Sequence, residues 1–248
     1  MKKSLPFIAA ILLLMLQSCS INTETVLHKN AESTSEINID FREMMGFVKG
    51  MMPDSAKTSS DFAELDKLPK EWTSLYDFEK KERKKITKDP DSLRLMKKMF
   101  LKANSENGEL VGFSVRQDHF SAQDYEFVNK GTGKEKMPFT NKIFQSWDGK
   151  TLILNTDNFT DEDYKNLGNT GDKDKPADGE DGMMAEMMKM DLNHIFKFET
   201  KIKSITGLHD WVQKIDDHTI KISFTSDQLI DAQSNLTNKD AKIIILTE

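Results

Sequence analysis

Soft sulfur ligands are the most conspicuous chemistry in this chain. Nine of its fourteen methionines fall in two clusters: Met44, Met45, Met51 and Met52, then Met183, Met184, Met187, Met188 and Met190. Thioethers suit Cu(I), and Met183, Met187, Met190 and His194 would share one face of a helix that ran past Leu192. Methionine also fills irregular helix–sheet interfaces with its flexible side chain. That packing use fits the same spacing and is the favoured reading, with copper handling as the alternative. A Met-lined groove for an apolar ligand or a partner segment is the third use. Other constellations offer less. The best calcium-loop register starts at Asp174, but it puts Pro176 at the third ligand place and Ala185 at the twelfth, where a Glu is required. The five histidines, His28, His119, His194, His209 and His218, have no metal-ligand spacing such as HExxH. His119 lies near Ser121 and Asp124 without a nucleophile motif or a base–orienter pattern. There is no Gly-rich phosphate loop. No catalytic residue, cofactor or metal site is therefore assigned, and the chain is not expected to be an enzyme. The run Lys80-Lys81-Glu82-Arg83-Lys84-Lys85 reads as a solvated helix face, with anionic headgroups as its alternative partner.

One side chain does receive a chemical role. Cys19 is the only cysteine, so no internal disulfide can form, and it closes a signal-like leader. Lys2 and Lys3 precede an apolar run from Leu5 to Leu16. A dozen apolar residues fall short of the ~20 that span a bilayer and match a cleaved export signal. Leu16-Gln17-Ser18-Cys19 resembles the bacterial lipobox. That resemblance implies cleavage before Cys19 and a diacylglycerol thioether on its sulfur, so that the membrane is met through an N-terminal lipid. Ser20 stands where an Asp would favour inner-membrane retention, which points to the outer membrane. Only Glu24 is acidic in Ser20-Ile21-Asn22-Thr23-Glu24, which points to the periplasmic face.

Removing residues 1–18, with their two lysines, leaves 230 residues and shifts the net charge from −6 to −8. That length suits one domain with a real core. An acidic chain in an envelope compartment is not expected to bind nucleic acid. An envelope protein or an apolar ligand remains as a partner.

The elements that would position these residues can be read from periodicity. Residues 23–29 and 34–41 alternate as strands around Asn30-Ala31-Glu32-Ser33, a hairpin. Phe41, Met44, Met45, Val48, Met51 and Met52 then fall on one helical face, ended by Pro53. A short helix with Phe62, Leu65 and Leu68 and a segment with Trp72, Leu75, Tyr76 and Phe78 follow. Asp89 and Pro90 start a helix whose stripe is Leu93, Met96, Phe100 and Ala103, with Asn107-Gly108 closing it. Strands are expected over 109–116, 142–147 and 151–155, the last two joined at Asp148-Gly149-Lys150. Residues 156–182 are acidic and Gly-rich and read as a loop too polar to order itself. A Met-rich helix over 183–190, alternation from Phe196 to Ile202, a strand over 220–224, a short helix from Ser226 and a strand over 241–247 complete the chain. The expected class is α+β: an antiparallel sheet with amphipathic helices packed on one face, formed by residues 19–248 as a single domain.

The C-terminal layout carries a broader likeness. Phe196 to Ile205, Ile215 to Phe224 and the small helix after Ser226, together with the lipobox, early hairpin and Met-rich helix, resemble uncharacterised Bacteroidota lipoproteins of flavobacterial type. The likeness covers roughly the first fifty mature residues and the last fifty-five. It implies an envelope address and this fold, and no established activity comes with it.

Overall fold

The computed structural model describes residues 19–42, 67–82, 86–130, 144–156, 190–225, 228 and 236–248. The expected hairpin is present: β1 (Cys19–Leu27) pairs antiparallel with β2 (Ser33–Asp40), Thr25 facing Ser35. Ala31 adopts a left-handed φ of 64° in the turn, and the Asn30 side chain accepts from the Glu32 N–H at 3.2 Å. Successive strands are β3 (Thr73–Ser74), β4 (Met99–Glu106), β5 (Glu109–Phe120), β6 (Phe144–Trp147), β7 (Thr151–Asn155), β8 (Met190–Phe198), β9 (Ile202–Thr206), β10 (Val212–Asp216), β11 (Thr219–Thr225) and β12 (Lys242–Thr247). Helices are α1 (Leu75–Lys81), α2 (Pro90–Lys98) and α3 (Ala122–Lys130).

The α+β class holds, with more sheet than periodicity suggested. Eight strands form one sheet in the order β10-β11-β8-β1-β2-β5-β4-β3, and β6-β7-β12-β9 form a second. All pairings are antiparallel except β1 with β8, which run parallel. The two sheets share one core. Ile21, Leu27, Ile37 and Phe196 of the large sheet meet Leu152, Leu154, Ile243 and Ile245 of the small one. A smaller cluster of Leu95, Met99 and Phe120 holds the helices, with Leu75, Tyr125, Phe127 and Val128 packed against it. The apolar face of the large sheet is thus covered partly by helices and partly by the second sheet. On its opposite face, Arg116 lies 4.7 Å from the Trp72 ring and 5.0 Å from that of Phe100.

Two sequence expectations change. The helix begun at Asp89 is capped as expected, with the Asp89 carboxylate accepting from the Ser92 N–H at 2.8 Å, but it ends at Lys98. Met99, Leu101 and Ala103 then alternate on one face of β4, opposite Gln117, Val115 and Phe113. Asn107 (φ 53°) and Gly108 (φ 85°) form the hairpin turn from β4 to β5, as two positive φ angles in sequence demand, instead of closing a helix. Likewise the alternation from Phe196 to Ile202 is broken: β8 stops at Phe198 and β9 joins the other sheet. The expected helices over 41–52 and 183–189, that of Phe62 and Leu65, the acidic segment 157–182 and the capping Ser226 lie outside the described residues.

Gly112 sits on β5 opposite Asp40 of β2. A Cβ there would press into the Ile39 carbonyl oxygen, well inside contact distance, whereas one on Gly108 meets only open space. Gly112→Ala should therefore cost about 3 kcal/mol through forced separation of the two strands. Gly108→Ala should cost about 1 kcal/mol, the left-handed penalty alone. Urea midpoints of the two variants measure the contrast, and equal losses would refute it.

Candidate functional site

Cys19 is the first residue of β1, and β1 is an interior strand with β8 on one side and β2 on the other. Its register partner on β8 is Met190. Ser20 faces Asp40, and Asp40 faces Gly112, so one end of the sheet gathers the start of β1, the end of β2 and the start of β8. Met44, Met45, Met51, Met52, Met183, Met184, Met187 and Met188 lie outside the described residues.

The helical face proposed for Met183, Met187, Met190 and His194 is not available, because Met190–Phe198 is strand. His194 is buried, its Nε2 is 2.8 Å from Thr25 Oγ1, and its ring stacks on Phe196 at 3.8 Å. Thr25 Oγ1 is also 2.8 Å from Ser35 Oγ. Burial pushes the His194 pKa down to about 3.

At the opposite end of the sheet, two histidines meet that sequence reading left apart. His28 and His119 stack with ring centroids 4.8 Å apart and planes 14° from parallel. His28 Nδ1 is 2.9 Å from Glu199 Oε1, and His119 Nδ1 is 3.0 Å from Glu32 Oε2. Each imidazole, with its neighbours, holds a carboxylate below its usual range. The His28 hydrogen bond acts on Glu199 together with the Lys29 N–H, and the Asn30 amide acts first on Glu32, then His119. The Trp147 indole donates to the His28 carbonyl at 2.8 Å, tying the second sheet to this corner. Parallel rings cannot converge on one ion, and no cluster of three His, Cys, Asp or Glu side chains able to hold a metal is found among the described residues. His209 and His218 also make local bonds, to the Trp211 N–H (3.3 Å) and the Phe198 carbonyl (3.0 Å). The signal that could have revealed the His28–His119 pair is the β2–β5 register, which no local window of sequence contains.

The proximity of His119, Ser121 and Asp124 has a structural meaning. Asp124 accepts from the Ser121 N–H and hydroxyl, both at 2.9 Å, and Ser121 Oγ accepts from the Asp124 N–H at 3.3 Å. This is a reciprocal cap on α3. The buried carboxylate also pairs with Arg94 and, at 3.0 Å, with Lys98. His119 takes no part, since its ring is on Glu32. An open hollow of about 930 Å³ at the edge of β4 is lined by Arg42, Leu68, Lys70, Lys102, Glu106 and Leu110, among others. Arg42 there is already neutralised by Asp40 (3.0 Å) and Glu106 (3.2 Å). Lys80 and Lys81 of the basic run close α1 as exposed residues.

No protein-family model matches the chain, and no curated protein matches it in sequence. Among solved structures, the folded domain of Mycobacterium tuberculosis LppM, determined by NMR, is similar at 10% identity over 94% of this chain and 92% of that one, with a TM-score of 0.40. A likeness that loose carries no argument about this chain.

Two tests follow from the buried polar groups. Asp124→Ala removes both the cap and the partner of two cations, so a loss of about 3 kcal/mol is expected in chemical denaturation; a loss under 1 kcal/mol would contradict the role. His194 stays neutral in the fold down to about pH 3, while the unfolded chain protonates it below about 6.5. The unfolded state binds more protons in that interval, so stability falls as the pH drops through it. Buried His209, also lowered chiefly by burial, adds the same sign. Unfolded carboxylates titrate near pH 4, which leaves the window from pH 6.5 to 5 to the histidines. Calorimetric midpoints should fall across that window, and less steeply in His194→Gln; identical slopes would exclude His194.

Proposed function

We propose that this chain is a lipid-anchored protein of the bacterial cell envelope, of the flavobacterial type, which binds or scaffolds and does not catalyse. The anchor is a thioether-linked diacylglycerol on Cys19, and the domain faces the periplasm from the outer membrane. One observation carries the reading. The residue that ends Leu16-Gln17-Ser18-Cys19 is also the residue that begins β1, so the predicted cleavage leaves β1 whole. Each buried methylene of an acyl chain contributes about 0.8 kcal/mol, so two or three chains hold such a domain stably.

Three features support the finer parts of the proposal. None of the described helices is long and apolar enough to cross a membrane, and on this reading the lipid is the membrane contact. Glu24, the one early acidic residue, is paired with Lys197 at 2.7 Å and does not present an acidic export tag. The candidate catalytic neighbours Ser121 and Asp124 are committed to the cap on α3.

Metabolic labelling with an alkyne fatty acid, followed by mass analysis of the N-terminal peptide, tests the anchor. The expected result is an acylated N-terminal Cys19 in the native chain. Cys19→Ser should persist as unlabelled precursor. Label retained by that variant, or a mature N-terminus at another residue, would overturn the proposal.

A further inference from the structure

We propose that the open face of the eight-stranded sheet binds a glycan, an extended and uncharged polysaccharide lying across the strands on Asn193, Asn22 and Asn38. Register sets Ser223, Asn193, Asn22, Asn38 and Ser114 side by side on β11, β8, β1, β2 and β5. Their strand neighbours Leu192, Ile21, Ile37 and Ile39 are buried in the core, so by alternation the row stands on the other face. Asn22 and Asn38 are exposed and Asn193 partly so, whereas Ser114 at the end of the row is buried and accepts from Asn104 Nδ2 at 2.9 Å, so the accessible row is that of the asparagines.

The composition of the row needs a reason outside folding. Asparagine is depleted from strands, where Thr or Val would be favoured. Three asparagines on three adjacent interior strands break that rule with no packing gained, the pattern expected where function overrides local preference. Their amides are also largely unspent. Asn22 Nδ2 donates to Ser20 Oγ at 3.0 Å, and Asn38 Oδ1 accepts from Asn104 Nδ2 at 3.3 Å. Each side chain offers two donors and an acceptor, which complements sugar hydroxyls that both donate and accept.

Geometry and charge select the ligand. Adjacent strands lie about 4.8 Å apart, close to the repeat of a sugar ring along an extended β-linked chain, so successive amides meet successive rings. The flanking charges include matched pairs, Glu24 with Lys197 at 2.7 Å and Asp40 with Arg42 at 3.0 Å. The row itself carries none, which favours a neutral polymer over a polyanion.

This inference narrows the binding role proposed above and does not depend on the lipid. The full chain, extracted in detergent and with the acyl state of Cys19 read by mass, is titrated with cellohexaose, laminarihexaose and chitohexaose. At least one should bind with a Kd in the millimolar range or tighter. The combined Asn22→Thr, Asn38→Thr and Asn193→Thr variant should weaken it at least about tenfold while keeping or raising the urea midpoint. Absence of binding to all three probes would overturn the proposal, as would unchanged affinity in the variant or a loss of its stability. An acylated chain that binds no probe counts against the glycan site alone; an unacylated chain that binds counts against the anchor alone.

Discussion

The double pairing of β1 is the constraint on which the molecule depends. An interior strand must satisfy its N–H and C=O groups on both sides. β1 finds one partner in the adjacent hairpin and the other far along the chain, in β8. Nine consecutive register pairs, from Cys19 with Met190 to Leu27 with Phe198, make that parallel junction. Local pairing therefore comes cheaply for β1–β2, and closure with β8 waits for most of the chain. Such non-local pairing slows folding. It also explains why the core is built as it is: Leu27, Phe196, Ile220 and Ile245 are fully buried, drawn from both ends of the sequence.

Polar groups run through this core in a connected line. Thr25 links Ser35 to His194, and Ser33 lies 2.8 Å from the Tyr125 hydroxyl. Burial raises the Tyr125 pKa as it lowers that of His194, so both are held neutral by the same cause. A register slip of one residue would turn Thr25, Ser35 and His194 outward together and leave apolar neighbours wet. Buried hydrogen bonds of this kind penalise wrong registers more than they stabilise the right one.

Much of the fold was legible because strands with one wet face write their pattern locally. The first hairpin, the Asp148-Gly149-Lys150 turn and the strands β11 and β12 follow from alternation. Asp89 and Pro90 gave the start of α2 for the same local reason. The end of α2 was not legible, since Phe100 and Ala103 continue a helical period by coincidence, and only pairing with β5 decides for strand. Asn107-Gly108 was the stronger signal, a hairpin turn misread as a helix stop. The sheet switch after Phe198 and the His28–His119 stack depend on contacts between distant segments. No window of sequence contains them. The place of Cys19 at the start of an interior strand was not legible in its leader.

That placement has a mechanical side. On the proposed anchor, Cys19 would carry acyl chains while already serving as the first residue of an interior strand, leaving no slack between bilayer and fold. So tethered, the domain could not swing out on a flexible leash, as it would behind a long polar spacer. The Cys19 end of the sheet would then stay against the headgroups, with the nine residues of β1 carrying the His28 corner about 30 Å away. Asn22, three residues along, rides only about 10 Å above the anchor. An upright sheet held in that way would present its transverse row parallel to the membrane plane, at a fixed height, as a rail and not as a hook.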